Sequence, residues 1–302
     1  MSGHRVEAEG VALFVEAEGS GPPVVLLHGF TGSGRTLART ARDLRPAFRT
    51  IRVDLVGHGR SDAPSDPTAY SMEACAAQVA GAIAATCREP AHLVGYSMGG
   101  RAALALAAWH PDRVCSAILV GARAGIPQSA DRDERRRRDE ALAVALERDG
   151  LAAFVDRWMA LPLFAGQARL GPGFRAQARE ERMRQLPAGL AASLRGMGAG
   201  AQPPLFERLA AIRIPVLVVV GEADAPFADV ARDLVDRLPD ARLARIPAAG
   251  HAAHIEEPEA FARLARDFLG EVEAQRPLSP NADRSSDRIG SGQKNPEGPC
   301  RV

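Results

Sequence analysis

Residues 91–109 read AHLVGYSMGGRAALALAAW. The first six, Ala91–Tyr96, form a short apolar run of the kind a strand buried on both faces requires. The last twelve, Met98–Trp109, space leucine and alanine as a buried helix does. Between them lies Gly95-Tyr96-Ser97-Met98-Gly99, a G-x-S-x-G in which a strand turns into a helix within one residue. Glycines on either side permit that strained bend, which lifts the Ser97 hydroxyl above the sheet and aims the Met98 backbone N–H at any oxygen that gains charge. The pentapeptide alone arises often by chance. The strand before it and the helix after it make it specific for a serine acting as nucleophile or base.

Outward from this bend the same order repeats. Pro23–His28, Thr50–Leu55, Val114–Val120 and Pro215–Gly221 are further β-branched or apolar runs. Helical spacing follows at Met72–Cys87 behind a Ser71 cap, at Phe227–Leu238 and at Pro258–Leu269. Strand, loop and helix in alternation from Val11 onward predict an α/β fold with a mostly parallel central sheet flanked by helices.

Serine is a weak base alone, so an acid and a histidine are expected later in the chain, in that order. Asp224 stands in the loop GEADAPF after the strand VLVVVG, and His251 in the loop AAGHAAHIEEP after a short strand at Arg242–Ile246. His254 competes with His251, but His251 follows Gly250 in the GH pattern. Singly, each is as well explained as a turn aspartate and a loop histidine. Jointly with Ser97 they are the candidate catalytic set. The loop His28-Gly29-Phe30-Thr31-Gly32-Ser33 follows another strand and is suited to supply a second oxyanion donor, the Phe30 N–H. In Asp54-Leu55-Val56-Gly57-His58-Gly59-Arg60-Ser61-Asp62, His58 is read as structural.

From Arg123 to about Pro204 the alternation stops. The text turns helical and arginine-rich, as in DRDERRRRDEALAVALERDG, so a helical lid over the strands' carboxyl ends is expected. The division that follows is a core over residues 1–122, a lid over 123–204, the rest of the core over 205–272, and a Pro/Ser/Gly-rich tail over 273–302 read as disordered.

The chain has 302 residues, 38 basic against 37 acidic, and this balance offers no general attraction for nucleic acid or an anionic membrane. Lys294 is the one lysine, so Schiff-base chemistry and a lysine-dependent P-loop are excluded and arginine carries the cationic roles. Four cysteines stand too far apart for a metal knuckle or redox pair. No metal or cofactor is called for. The polar N-terminus and the lack of a bilayer-length apolar run predict a cytoplasmic protein without membrane insertion.

The cations bear on substrate. Arg101 lies one helical turn after Ser97 and reads equally as a pocket cation or half of a buried ion pair. In Glu134-Arg135-Arg136-Arg137-Arg138-Asp139 the guanidiniums cannot all face one way. Arg136 and Arg138 are read as a solvated face. Arg123 is either a further cation at the site or a surface residue.

HGFTGS, GYSMGGR, ER-x-R-x-D from Glu134, W-x-x-x-P-x-F at Trp158, Pro162 and Phe164, GE-x-D and GH-x-AH together give the chain its family likeness. Over about residues 11–270 it resembles the α/β-hydrolase superfamily, and within it the 2-succinyl-6-hydroxy-2,4-cyclohexadiene-1-carboxylate synthases of menaquinone biosynthesis, the MenH family. The resemblance implies Ser97, Asp224 and His251 as the triad, Phe30 and Met98 as oxyanion donors, and Tyr96, Arg101, Arg135 and Trp158 as substrate contacts. It implies a small polycarboxylate substrate, 2-succinyl-5-enolpyruvyl-6-hydroxy-3-cyclohexene-1-carboxylate, and a carbon–oxygen lyase that eliminates pyruvate from it. The alternative is a serine carboxylesterase or carbon–carbon bond hydrolase of the same fold.

Overall fold

A computed structural model describes residues 2–276. Eight strands form one sheet: β1 Ser2–Ala8, β2 Val11–Glu18, β3 Pro23–Leu27, β4 Arg49–Val53, β5 Ala91–Tyr96, β6 Val114–Val120, β7 Val216–Gly221 and β8 Ala241–Ile246. Their spatial order is β1-β2-β4-β3-β5-β6-β7-β8. β2 runs antiparallel to β1 and β4, and the six strands from β4 to β8 are parallel. The predicted α/β architecture is therefore the observed one. β3 and β7 are buried along their whole length, as apolar runs with no polar alternation demand.

β1 is the element that sequence reasoning missed. The polar, acidic stretch MSGHRVEAEG shows no strand in a reading that starts the alternation at Val11, yet Val6 and Ala8 are buried and pair across a two-residue turn. In that turn Glu9 and Gly10 both have positive φ, at 52° and 73°, which is the geometry that matches strand twist in a tight hairpin.

Two apolar layers cover the sheet. On one face lie α1 (Ala38–Leu44) and α10 (Pro258–Gln275); on the other lie α2 (Met72–Thr86), α3 (Met98–Trp109) and α8 (Ala225–Arg237). α2 starts where Ser71 accepts a hydrogen bond from the Ala74 N–H, which satisfies one of the donors a helix start leaves free. α10 buries Phe261, Ala265, Phe268, Leu269 and Val272, a stripe at helical spacing. It runs on past Leu269 because Glu273 reaches the buried ring of His92, with Nε2 and Oε1 2.9 Å apart. The tail boundary at 273 is thus corrected: residues 273–275 complete α10. The rest of the segment read as disordered, residues 277–302, lies outside the described residues.

Between β6 and β7 the described residues are helical: α4 Ser129–Met159, α5 Gly171–Arg182, α6 Pro187–Met197 and the single turn α7 Phe206–Leu209. α4 breaks at Gly150, where φ is 80°. Leu146, Phe154, Val155, Leu190 and Leu194 give these helices a small core of their own, which continues onto Phe30. Gln185 fastens them to the sheet: it accepts from the Gly59 N–H at 2.9 Å and donates to the Gly32 carbonyl at 3.1 Å.

Five histidines are buried among the described residues, and burial holds four of them, His28, His58, His92 and His254, neutral. The Leu55 N–H donates to His28 Nε2 at 3.0 Å, and Nδ1 donates to the Gly29 carbonyl at 2.9 Å, so the ring has no place for a second proton. Burial lowers His28 to about 4 and His58, which also feels His28, to about 3. Burial likewise lowers His92 to about 4 and His254 to about 3. The unfolded chain binds these protons near pH 6.5 and the folded one does not, so stability falls as pH drops through that window, by about 1.4 kcal/mol per pH unit for each ring. The expected outcome is cooperative acid unfolding with a midpoint between about pH 4 and 6, followed by far-UV circular dichroism. Undiminished stability down to pH 4 would contradict it.

Candidate active site

The parallel strands end on one edge of the sheet, and their following loops bring the chemistry together. Ser97 follows β5 with φ 51° and ψ −107°, a conformation that costs a non-glycine residue strain and is held by the strand and helix on either side. Gly99 makes the bend possible, since a Cβ there would stand 2.2 Å from the Leu27 carbonyl oxygen of β3.

Asp224 follows β7 and His251 follows β8. His251 Nε2 lies 3.1 Å from Ser97 Oγ, and His251 Nδ1 lies 2.8 Å from Asp224 Oδ2. With Nδ1–H donating to the carboxylate, Nε2 is left to accept from the serine hydroxyl. Both His251 and Asp224 are buried. Gly121, at φ 58°, leaves room for the ring: a Cβ there would sit 2.7 Å from His251 Cε1. His254, the rival histidine, instead packs on Tyr96 with ring centroids 4.5 Å apart, outside this line of hydrogen bonds.

The His251 loop is held by a carboxylate that sequence reasoning did not single out. Buried Glu256 accepts from the Gly250 N–H at 2.7 Å and the Ala252 N–H at 3.2 Å, one residue on each side of His251. Glu256→Ala leaves two buried donors unpaired, at about 1–3 kcal/mol each. A lower Tm together with a lower kcat is expected; unchanged kcat would show that the loop holds His251 without it. The segment HIEEP is the signal, since an acid within a turn after a buried histidine is placed to cap that loop.

Phe30 and Met98 flank Ser97 as expected, Phe30 after β3 and Met98 as the first residue of α3. Neither backbone N–H has a hydrogen-bond partner among the described residues. Phe30 also packs edge-on against Trp158, ring centroids 5.2 Å apart, joining the helical segment to the loop.

The cavity above Ser97 has two lobes, with Ser97, Phe30 and Trp158 on the wall of each. The larger, about 450 Å3, is lined by Tyr96, Phe164, Gln167, Arg182 and His254. Burial pushes the Tyr96 phenol above its ordinary pKa, so it is neutral. Trp158 Nε1, Gln167 Nε2 and Arg182 Nε are buried donors without a partner. Arg182 and Gln167 were not anticipated. α5 carries Arg175, Arg179 and Arg182 within eight residues, and spacing alone does not say which turns inward.

The smaller lobe, about 170 Å3, holds Arg101, Arg123 and Arg135 with one carboxylate, Asp139. Buried Arg101 donates through Nη1 to neutral Gln202 at 2.9 Å and has no carboxylate within salt-bridge distance among the described residues, against the ion-pair reading. Burial and the nearby Arg135 pull its pKa down to about 10, so it stays charged at neutral pH. Arg135 pairs with Asp139 through Nε at 2.9 Å. Arg136, Arg137 and Arg138 pair with Asp133 and Glu134 on the solvated face, as read for the first and last of them.

Residues 22–258 match the family described as the alpha/beta hydrolase fold. A Bacillus subtilis protein provisionally named 2-succinyl-6-hydroxy-2,4-cyclohexadiene-1-carboxylate synthase is 38% identical over 88% of this chain and 97% of its own length. The Serratia proteamaculans protein of the same name is 30% identical over 84% of this chain and 95% of its own. Among solved structures, MenH from S. aureus superposes with a TM-score of 0.82 at 31% identity, covering 86% of this chain and 98% of that one. No helix among the described residues is long and apolar enough to cross a membrane.

Proposed function

We infer the function from the premise that this chain belongs to the α/β-hydrolase family and, within it, to the 2-succinyl-6-hydroxy-2,4-cyclohexadiene-1-carboxylate synthases. It eliminates pyruvate from 2-succinyl-5-enolpyruvyl-6-hydroxy-3-cyclohexene-1-carboxylate in menaquinone synthesis. The observation that carries this reading is the hydrogen-bonded line Ser97–His251–Asp224 set below a lobe where three arginines face one carboxylate. An ester or carbon–carbon hydrolase has no evident need of that excess charge, whereas a tricarboxylate does.

Elimination needs a base, a place for negative charge and a leaving group. His251, kept in one tautomer by Asp224, draws the Ser97 proton, and Ser97 Oγ takes the ring proton next to the succinyl carbonyl. Charge moves onto that carbonyl oxygen, where the N–H groups of Phe30 and Met98 receive it. The enolate then re-forms its carbonyl, a double bond forms between ring carbons 2 and 3 as the 3,4 double bond moves to 4,5, and the bond from carbon 5 to the enolpyruvyl oxygen breaks. The departing enolate of pyruvate takes a proton and becomes pyruvate. No acyl-enzyme forms and no water is consumed, so the protein is a carbon–oxygen lyase.

Arg101 and Arg135 bind a substrate carboxylate in the smaller lobe, Arg101 through a planar fork that lysine does not reproduce. Tyr96, Trp158, Gln167 and Arg182 meet the remaining anionic groups in the larger lobe, where their unpaired N–H donors gain partners. Residues 123–204 act as a lid that keeps water off the enolate. The test is incubation with the enolpyruvyl substrate and measurement of pyruvate by coupled reduction. Release that saturates with substrate is expected; its absence would overturn the reading.

A further inference from the structure

We propose that Arg123 is a third anchor for the carboxylate held in the smaller lobe, and that it sets the preference for a substrate arm ending in a carboxylate over one ending in a neutral group. The proposal rests on the reading above for the reaction itself. Arg123 follows β6 by three residues, on the same edge as Ser97, and lines the lobe with Arg101 and Arg135. Its guanidinium carbon stands 5.5 Å from the Phe227 ring centroid, and Phe227 packs in turn against His251 with centroids 4.6 Å apart. That stacking fixes the side chain at the cavity wall without using its N–H donors.

The donors have no other use among the described residues. Arg123 makes no hydrogen bond or ion pair there, and its Nε is buried. Most arginines of this chain are paired: Arg135 with Asp139, Arg195 with Glu140 and Glu147, Arg169 with Glu257. An unpaired, partly buried guanidinium beside two others is costly unless an anion joins them. Burial and Arg135 both depress the pKa of Arg123, and Arg123 with Arg135 does the same to buried Arg101. The three cations therefore repel one another, and Asp139 offsets one charge of the three. A carboxylate entering the lobe relieves the repulsion and offers four lone-pair sites to forks approaching from β6, α3 and α4.

The experiment compares the parent protein, Arg123→Gln and Arg123→Lys on the enolpyruvyl substrate and on its derivative with the succinyl carboxylate converted to a primary amide. Arg123→Gln should raise KM for the carboxylate about 10- to 100-fold, with a much smaller fall in kcat, and shrink the carboxylate-over-amide preference by the same factor. Arg123→Lys, which keeps the charge over Phe227, should recover part of both and serves if the glutamine variant folds poorly. Unchanged KM, or equal losses on both substrates, would overturn the assignment. If the parent itself releases no pyruvate, the reaction reading fails. The anchor is then decided by calorimetry with succinate: weaker binding to Arg123→Gln supports it, and equal binding overturns it.

Discussion

Ser97→Ala lowers the rate of pyruvate release by at least about 10³-fold, the expected cost of losing the group that takes the proton. The change removes one oxygen at the end of β5 and leaves the strained bend to be occupied by alanine, which has the same Cβ. Substrate affinity is therefore expected to hold, since the arginines and aromatic walls of both lobes are untouched, and calorimetry on the variant measures it. A loss of kcat with retained binding assigns Ser97 to the chemistry. Turnover within tenfold of the parent would leave His251 acting directly and remove Ser97 from the mechanism.

Arg101→Ala is the second large effect, with kcat/KM reduced about 100-fold or more. Three circumstances combine. The guanidinium is buried, its protein partner is neutral Gln202, and its deletion leaves the buried Gln202 side-chain oxygen without that donor. A structural ion pair would have lost stability first. Here Tm should move by a few degrees while KM rises steeply, and Arg101→Lys should recover little, because one ammonium cannot present two parallel N–H groups to a carboxylate. Steady-state kinetics beside a melting curve separates the two. Normal turnover in Arg101→Ala would remove the clamp.

The bend at Gly95–Gly99 was legible because its local chemistry is exacting: few residues tolerate that turn, and a hydrophobic strand and a helix stand on either side. From it the parallel sheet, the order of the strands' loops and the Ser97, Asp224 and His251 set could be read without coordinates. Residues whose role depends on which face of a helix turns inward could not. Arg182 is one of several arginines in a helix with little apolar text, and only packing on Phe164, 5.5 Å from its guanidinium, shows its direction. Gln202 acts through Arg101, 101 residues away in the chain, a contact that carries no pattern in sequence, whereas Glu256 binds its own neighbourhood and its signal in HIEEP went unused. β1 was missed for a related reason: only Val6 and Ala8 of its described side chains are buried, and the exposed polar ones dominated the reading of a short segment.

In the proposed mechanism the oxyanion donors are main-chain groups. Phe30 and Met98 contribute main-chain donors, so their side chains are free for other work, Phe30 against Trp158 and Phe154, and Met98 in the core beneath the bend. With Phe30 after β3 and Met98 at the start of α3, both donors would be in place before substrate arrives, as the proposed mechanism requires.

The mass of the ring product tests elimination against hydrolysis most directly, because both routes release pyruvate. The purified protein and its Ser97→Ala variant are incubated with 2-succinyl-5-enolpyruvyl-6-hydroxy-3-cyclohexene-1-carboxylate, and the ring product is weighed by mass spectrometry beside the pyruvate formed. One equivalent of pyruvate with a cyclohexadiene that carries no added water, and neither product from Ser97→Ala, is the result expected. A ring product heavier by one water, or the diene formed at the parent rate without the serine hydroxyl, would contradict it.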